Sequence, residues 1–148
     1  MASLISAADQ QKLRDAFAEM TRKVHLVFFT QTLDCETCLQ TRQILDELPL
    51  LSDKIVIDEL NLVLDKDRAQ QFGIDRVPAV ALTFEDDEKQ THDTRMRFLG
   101  TPAGYEFISL VQAVLLAGGR ATNLKPATVT RLGAVDKPVT MQVFTTPT

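Results

Sequence analysis

The segment Val24 to Thr30, VHLVFFT, constrains the fold more than any other. It is short, β-branched and aromatic, the pattern of a strand buried within a sheet. Cys35 and Cys38 follow in LDCETCLQ, and LQTRQILDELP then places Cys38, Leu45 and Leu48 on one helical face until Pro49 stops the helix. KIVIDELNL, Lys54 to Leu62, is the next strand. Strand, helix, strand is a βαβ unit, parallel and right-handed by the usual rule of connection. The two cysteines therefore sit where a strand hands over to a helix.

The second half of the sheet reads as a hairpin. DKDRAQQF is a short helix ending at Gly73, VPAVALTF gives a strand from Ala79 to Phe84, EDDEKQ is a solvated turn, and TRMRFL is the partner strand up to Gly100. Met96 and Phe98 alternate there with Arg95 and Arg97, as the core and solvent faces of one strand. Thr101 and Pro102 suit the N-cap and first position of a last helix with Phe107, Val111, Val114 and Leu115 on one side, ended by Gly118-Gly119. At the front, Ser6 to Met20 is an amphipathic helix with Ser6 as N-cap and Leu13, Phe17 and Met20 at helical spacing. Residues 1–119 are thus expected to form one α/β domain around a mixed four-stranded sheet, βαβ then ββα, with an extra N-terminal helix.

Beyond Gly119, NLKPATVTRLGAV offers a short Pro-started helix with Val129 and Leu132 on one side, and KPVTMQVFTT offers a strand. Helix then strand is also how the chain begins. Laying Val27 on Val143 keeps a constant offset across VFFTQT and VFTTPT, which points to a repeat. Residues 120–148 are accordingly expected to be a linker helix and the first strand of a second, truncated unit. An isolated strand has an unpaired edge, so Thr140 to Thr146 should add to the first sheet, pair with a second copy in a dimer, or be disordered.

Composition narrows the classes of function. The 148 residues are 45% hydrophobic and 24% charged, enough apolar material for a core and enough charge for solubility. A net charge of -4 gives no electrostatic reason to bind nucleic acid. MASLISAADQ lacks a basic leader and an apolar run, and no stretch reaches membrane-spanning length, so neither secretion nor a membrane partner is supported and a cytoplasmic location is expected. In that setting a close cysteine pair is a redox or metal site rather than a structural disulfide framework.

The attacking species in disulfide exchange is the thiolate, so a redox cysteine needs a place that stabilises negative charge. The unpaired N–H groups of a helix N-terminus provide one, and Cys35 stands there. Cys38, a turn further on, is within reach of an intramolecular disulfide and faces inward, as suits a resolving thiol. Half a zinc site is the alternative for Cys35 and a small buried hydrophobe the alternative for Cys38. Zinc requires about four ligands, and the remaining soft candidates, His25 in the first strand and His92 in the hairpin turn, lack ligand spacing to the pair.

Val77-Pro78 is the second feature. A proline heading a strand is sterically tolerable, so the residues alone mark only a strand start. CETC after VFFT, then FGIDRVPAVAL, then RFLGTPAGYEF before an apolar helix, resembles the thioredoxin fold, a three-layer α/β/α arrangement. Within that fold the combination is similar to the first half of the glutaredoxin-like protein disulfide oxidoreductases, whose single chain packs two thioredoxin units side by side. The similarity runs from about Ser6 to the end; GIDRVPA and FLGTPAGYEF carry it more specifically than CETC does. The resemblance implies a cis peptide before Pro78, set against the dithiol, with Val77 offering its backbone to an extended substrate strand. It also implies a second unit whose strand reads much like VFTTPT and runs into another CxxC.

Departures from that pattern shape the expectation. Glutaredoxins and oxidising relatives usually have Pro first between the cysteines, where this chain has Glu36 and Thr37. Asp34 and Glu36 flank Cys35 with negative charge that opposes the thiolate, favours the disulfide form and makes a more reducing couple. The buried acid that thioredoxins hold six residues before the nucleophile is replaced by Phe29, leaving water, or Asp58 and Glu59, as proton sources for Cys38. The Gly-Gly-Asp pattern of glutathione binding is absent from LGTPAGYEF, so no glutathione site and no cofactor is assigned.

The expected activity is thiol-disulfide exchange with protein dithiols and disulfides, Cys35 attacking and Cys38 resolving, supplied by a thioredoxin-reductase-like electron donor. The alternative is a non-catalytic thioredoxin-like domain whose CxxC is a structural or relay disulfide for a catalytic second unit.

Overall fold

The computed structural model describes residues 4–145. Its sheet grows outward from the buried strand, β1 (Val24–Thr30). On one side β2 (Ile55–Asn61) runs parallel to it, with Val24 opposite Ile55 and Thr30 opposite Asn61. On the other side β3 (Ala79–Glu85) is antiparallel to β1, and β4 (Thr91–Leu99) is antiparallel to β3. The order is β2-β1-β3-β4, a mixed four-stranded sheet with β1 and β3 inside.

Period-two alternation sends β1 side chains to two cores. Val24, Leu26 and Phe28 enter the larger one, together with Phe17 of α1 (Ala7–Ala18), Leu45 of α2 (Cys38–Asp46) and Leu110, Val111 and Val114 of α4 (Tyr105–Ala117). Val27 and Phe29 enter the smaller one with Ala69 and Phe72 of α3 (Lys66–Phe72). Three helices thus cover one face and α3 covers the other, the expected three layers. Phe28 and Phe29 are fully buried on opposite faces; each such ring removed from water contributes roughly 1.5–3 kcal/mol, which is what fixes the strand's register between the layers.

Local signals set the ends of most elements. Ser6 caps α1, its hydroxyl oxygen accepting from the Asp9 N–H at 3.2 Å while the hydroxyl donates to the Asp9 carboxylate at 2.7 Å. Gly73 closes α3 in the left-handed region at φ 66°.

Four boundaries or faces differ from the sequence reading. The helix after the dithiol begins at Cys38 and ends at Asp46, so Leu48 is buried from the turn beyond it. The strand after the hairpin starts at Thr91, which puts His92 in β4 rather than in the turn, stacked on Phe84 and bonded to Asp86 at 2.7 Å. The last helix starts at Tyr105, with Gly104 at the N-cap, because Thr101 and Gly100 are held by other partners. Arg97 is half-buried over the smaller core instead of facing solvent, since α3 covers that side of the sheet.

The segment beyond Gly119 forms α5 (Pro126–Gly133), with Pro126 in the first turn, and none of its residues is buried. Residues 136–145 have no ladder partner among the described residues, and Val139, Met141, Val143 and Phe144 are exposed. Thr146, at the end of the expected strand, lies outside the described residues. No described helix is long and apolar enough to cross a membrane.

Candidate active site

β1 ends at Thr30, the chain bends through Thr32–Asp34, and Asp34 takes a positive φ of 57° that swings Cys35 in front of α2. Glu36 and Thr37 form a turn, Thr37 is the N-cap, and Cys38 is the first helical residue. Cys35 therefore lies ahead of the helix rather than in its first turn, on the side to which the unpaired N–H groups point. Cys35 and Cys38 are joined as a disulfide with Cα atoms 5.5 Å apart. Cys35 is half-exposed while Cys38 is only 5% exposed, the asymmetry of one accessible and one shielded sulfur. Asp34 and Glu36 are both exposed beside it.

The Val77–Pro78 peptide is cis. Val77 is half-buried and Pro78 buried, and the registered pairs of β3 begin only at Ala79, so Val77 lies just outside the ladder. The Pro78 carbonyl accepts from the Gly100 N–H at 2.8 Å. Next to Gly100, Thr101 places its hydroxyl 2.8 Å from that of Thr41, on α2. The dithiol helix and the proline loop are thereby tied to one short connection, residues 100–101.

The acids weighed as proton sources are engaged elsewhere. Asp58 bonds His25 Nδ1 at 2.7 Å, and Glu59 is ion-paired with Arg42 of α2. His25 is also bonded through Nε2 to Glu85 at 2.7 Å, and this contact is the main reason the Glu85 carboxyl is held below its usual range. No described group of three or more His, Cys, Asp or Glu side chains is placed to hold a metal ion. Phe29, in the position of the missing buried acid, packs edge-on against Phe72 with ring centroids 5.9 Å apart.

Sequence reasoning missed Thr41. The signal was available: Thr41 lies three residues after Cys38 on the buried face shared with Leu45, and a buried hydroxyl requires a partner. Its partner, Thr101, could not be read from the sequence because it comes from 60 residues away.

The NTD_N/C domain of alkylhydroperoxide reductase AhpF from Enterococcus faecalis superposes with a TM-score of 0.78 and 28% identity, over 90% of this chain and 62% of that one. A protein disulfide oxidoreductase from Aeropyrum pernix superposes at 0.72 with 25% identity, over 87% and 54%. A thioredoxin from Thermus thermophilus does so at 0.51 with 17% identity, over 80% and 92%, a likeness of fold alone. The chain has the thioredoxin fold. It spans less than two thirds of the length of the first two of these structures. No family model and no curated protein matches the sequence. Within the thioredoxin fold, CETC lies where β1 hands over to α2, and Val77–Pro78 lies just ahead of β3.

Proposed function

We propose that this chain is a thiol-disulfide oxidoreductase that exchanges disulfides with protein substrates. The observation that carries the reading is the half-exposed Cys35 bonded to the shielded Cys38 at the head of α2. In the reducing direction the Cys35 thiolate attacks one substrate sulfur, and the other substrate sulfur leaves as a thiolate. Cys38, deprotonated by water, then attacks Cys35 Sγ and expels the second substrate thiolate. Two electrons pass to the substrate and the Cys35–Cys38 disulfide remains; oxidation of a substrate dithiol is the reverse. Val77 and Pro78 shape the groove for an extended substrate strand. A cytoplasmic location and a thioredoxin-reductase-like donor belong to the same reading, as do residues 120–148 acting as a linker helix and the first strand of a second unit; the exposed Val139, Met141, Val143 and Phe144 fit that role.

Insulin reduction by dithiothreitol tests the proposal. The parent is expected to accelerate it, Cys35→Ser to lose the acceleration, and Cys38→Ser to accumulate mixed disulfides. A Cys35→Ser chain as active as the parent would sink the reading.

A second reading is a packing domain whose disulfide serves a catalytic second unit, favoured by the two exposed carboxylates beside Cys35. Alkylation of the reduced chain against pH separates the two: one fast thiol titrating below the ordinary cysteine range marks the enzyme, and two slow thiols mark the packing domain.

A further inference from the structure

Thr41 is fully buried on α2, yet it is polar; one of its hydroxyl's two bonds goes to the turn ahead of Cys38 and the other to the connection beside the proline loop. Its hydroxyl donates to the Thr37 carbonyl at 2.9 Å, and that carbonyl also accepts the Thr41 N–H at 2.9 Å. With its single proton committed there, the Thr41 oxygen is the acceptor in the 2.8 Å bond to Thr101, whose hydroxyl donates. Thr101 follows Gly100, whose N–H holds the Pro78 carbonyl. One continuous brace thus runs from the Thr37–Cys38 peptide through two hydroxyls to the proline loop.

We infer that Thr41 and Thr101 are positioning residues for the dithiol: they fix the Thr37–Cys38 peptide, and with it the approach of Cys38 Sγ to Cys35 Sγ. The inference rests on the thiol-disulfide reading above. Disulfide geometry tolerates little displacement of the two Cβ atoms. A reduced pair held near ring-closing geometry reacts as an intramolecular pair of high effective concentration, whereas a loosened turn must reorganise first. Valine at position 41 keeps the shape and the backbone bond to Thr37 but removes the brace.

The test equilibrates the full chain with mixtures of reduced and cyclic oxidised dithiothreitol. Protein dithiol and cyclic disulfide exchange to protein disulfide and free dithiothreitol, two electrons and two protons moving to the reagent, and alkylation with mass analysis reads the ratio. Thr41→Val is expected to lower the constant for forming the Cys35–Cys38 disulfide about tenfold, which is about 30 mV. Thr101→Val should lower it about threefold, and the double variant should match Thr41→Val, because both act through one brace. Thr41→Ser, which keeps the hydroxyl, should stay within about twofold of the parent. A Thr41→Val constant as high as the parent's, or a Thr41→Ser loss as large as that of Thr41→Val, overturns the inference. Should Thr41→Val fail to fold, the half-buried Thr101 answers the same question, with Val expected to lower the constant and Ser to restore it. Flat constants in a chain that reduces insulin would sink the brace alone. A chain inert towards insulin would sink the oxidoreductase reading while leaving the equilibrium measurable.

Discussion

Arg97 of β4 holds the end of α3 through Phe72: its Nε donates to the Phe72 carbonyl at 2.9 Å, and its guanidinium lies over the Phe72 ring, 5.3 Å from the centroid. Phe72 is followed by Gly73 and the loop to Val77–Pro78, so this one side chain anchors the segment that presents the proline. The guanidinium is also bonded to Asp93, and its side chain is only 20% exposed. Removing a charged donor from a half-buried acceptor costs about 1.5–3 kcal/mol. Arg97→Ala is expected to lose about 2 kcal/mol in urea unfolding, and Arg97→Lys to recover part of it. A loss no larger than that of an ordinary surface substitution would show that the contact is incidental.

The same contact gives a pH dependence. The hydrogen bond from Arg97 is the main cause holding the Asp93 carboxyl below its usual range. A carboxyl with a depressed folded-state pKa contributes stability that is fully present above its unfolded value, about 3.9, and lost as pH falls through the folded value. Glu85, Asp86 and Asp9 shift in the same direction, each chiefly through a side-chain hydrogen bond, from His25, His92 and Ser6. The melting temperature should therefore fall as pH drops below about 4, and Asp93→Asn should flatten that fall in part. An Asp93→Asn curve parallel to the parent's would remove Asp93 from the account.

Short-range signals were legible and long-range ones were not. VHLVFFT marks β1 because burial on both faces of a sheet favours a β-branched and aromatic run, broken here only by the half-buried His25 and Thr30, and the Ser6 cap and the Gly73 stop are local chemistry. The start of α4 was misplaced because Thr101 meets the demands of an N-cap, yet its hydroxyl is taken by Thr41 on another helix. Arg97 looked solvated because alternation along β4 shows two faces without showing that α3 covers the second. At the candidate site, CETC and the Val77–Pro78 pair were visible as motifs, whereas the brace between them joins positions 60 residues apart.

Asp34 and Glu36 offer a charge test of the dithiol. Both are exposed, so salt should weaken their influence on the Cys35 thiolate. Neutralising them in Asp34→Asn/Glu36→Gln should raise the thiolate fraction of reduced Cys35 and make the couple more oxidising, by a few tenths of a pKa unit at low salt and less at high salt. Alkylation rate against pH at two ionic strengths reads this directly. A rate profile unmoved by the double change at low salt would show that solvent screens both carboxylates fully and that they do not tune the thiol.

Gly119 joins the last core helix to the start of β1 at close quarters. Its φ is +103°, and a Cβ there would overlap Thr21 Oγ1. Thr21 and Arg22 both donate backbone N–H groups to the Gly118 carbonyl, at 2.8 and 3.1 Å, so the neighbour has little room to retreat. Gly119→Ala is expected to cost about 1–3 kcal/mol from backbone strain plus steric overlap, whereas Gly133→Ala, with nothing within 4 Å of its Cβ, should cost little. Equal unfolding midpoints for the two variants would contradict the close approach.

The segment after Arg120 tests where the independently stable unit ends. Leu132, Val135, Val143 and Phe144 are 56%, 56%, 85% and 88% exposed, so they remove little apolar surface from water in this chain. Upstream, Arg120 is still tied to α4: its N–H donates to the Leu115 carbonyl at 3.0 Å, and its guanidinium pairs with Gln112. Ending the chain after Arg120 should therefore change unfolding free energy by no more than about 0.5 kcal/mol, and should reduce self-association by removing exposed apolar residues. Adding a second thioredoxin unit after Thr148 should instead protect the amides of residues 139–145 from hydrogen exchange, as strand pairing would. A loss of several kcal/mol on truncation would mean that α5 packs on the first unit, and amides unprotected in the longer chain would remove the segment from a second sheet.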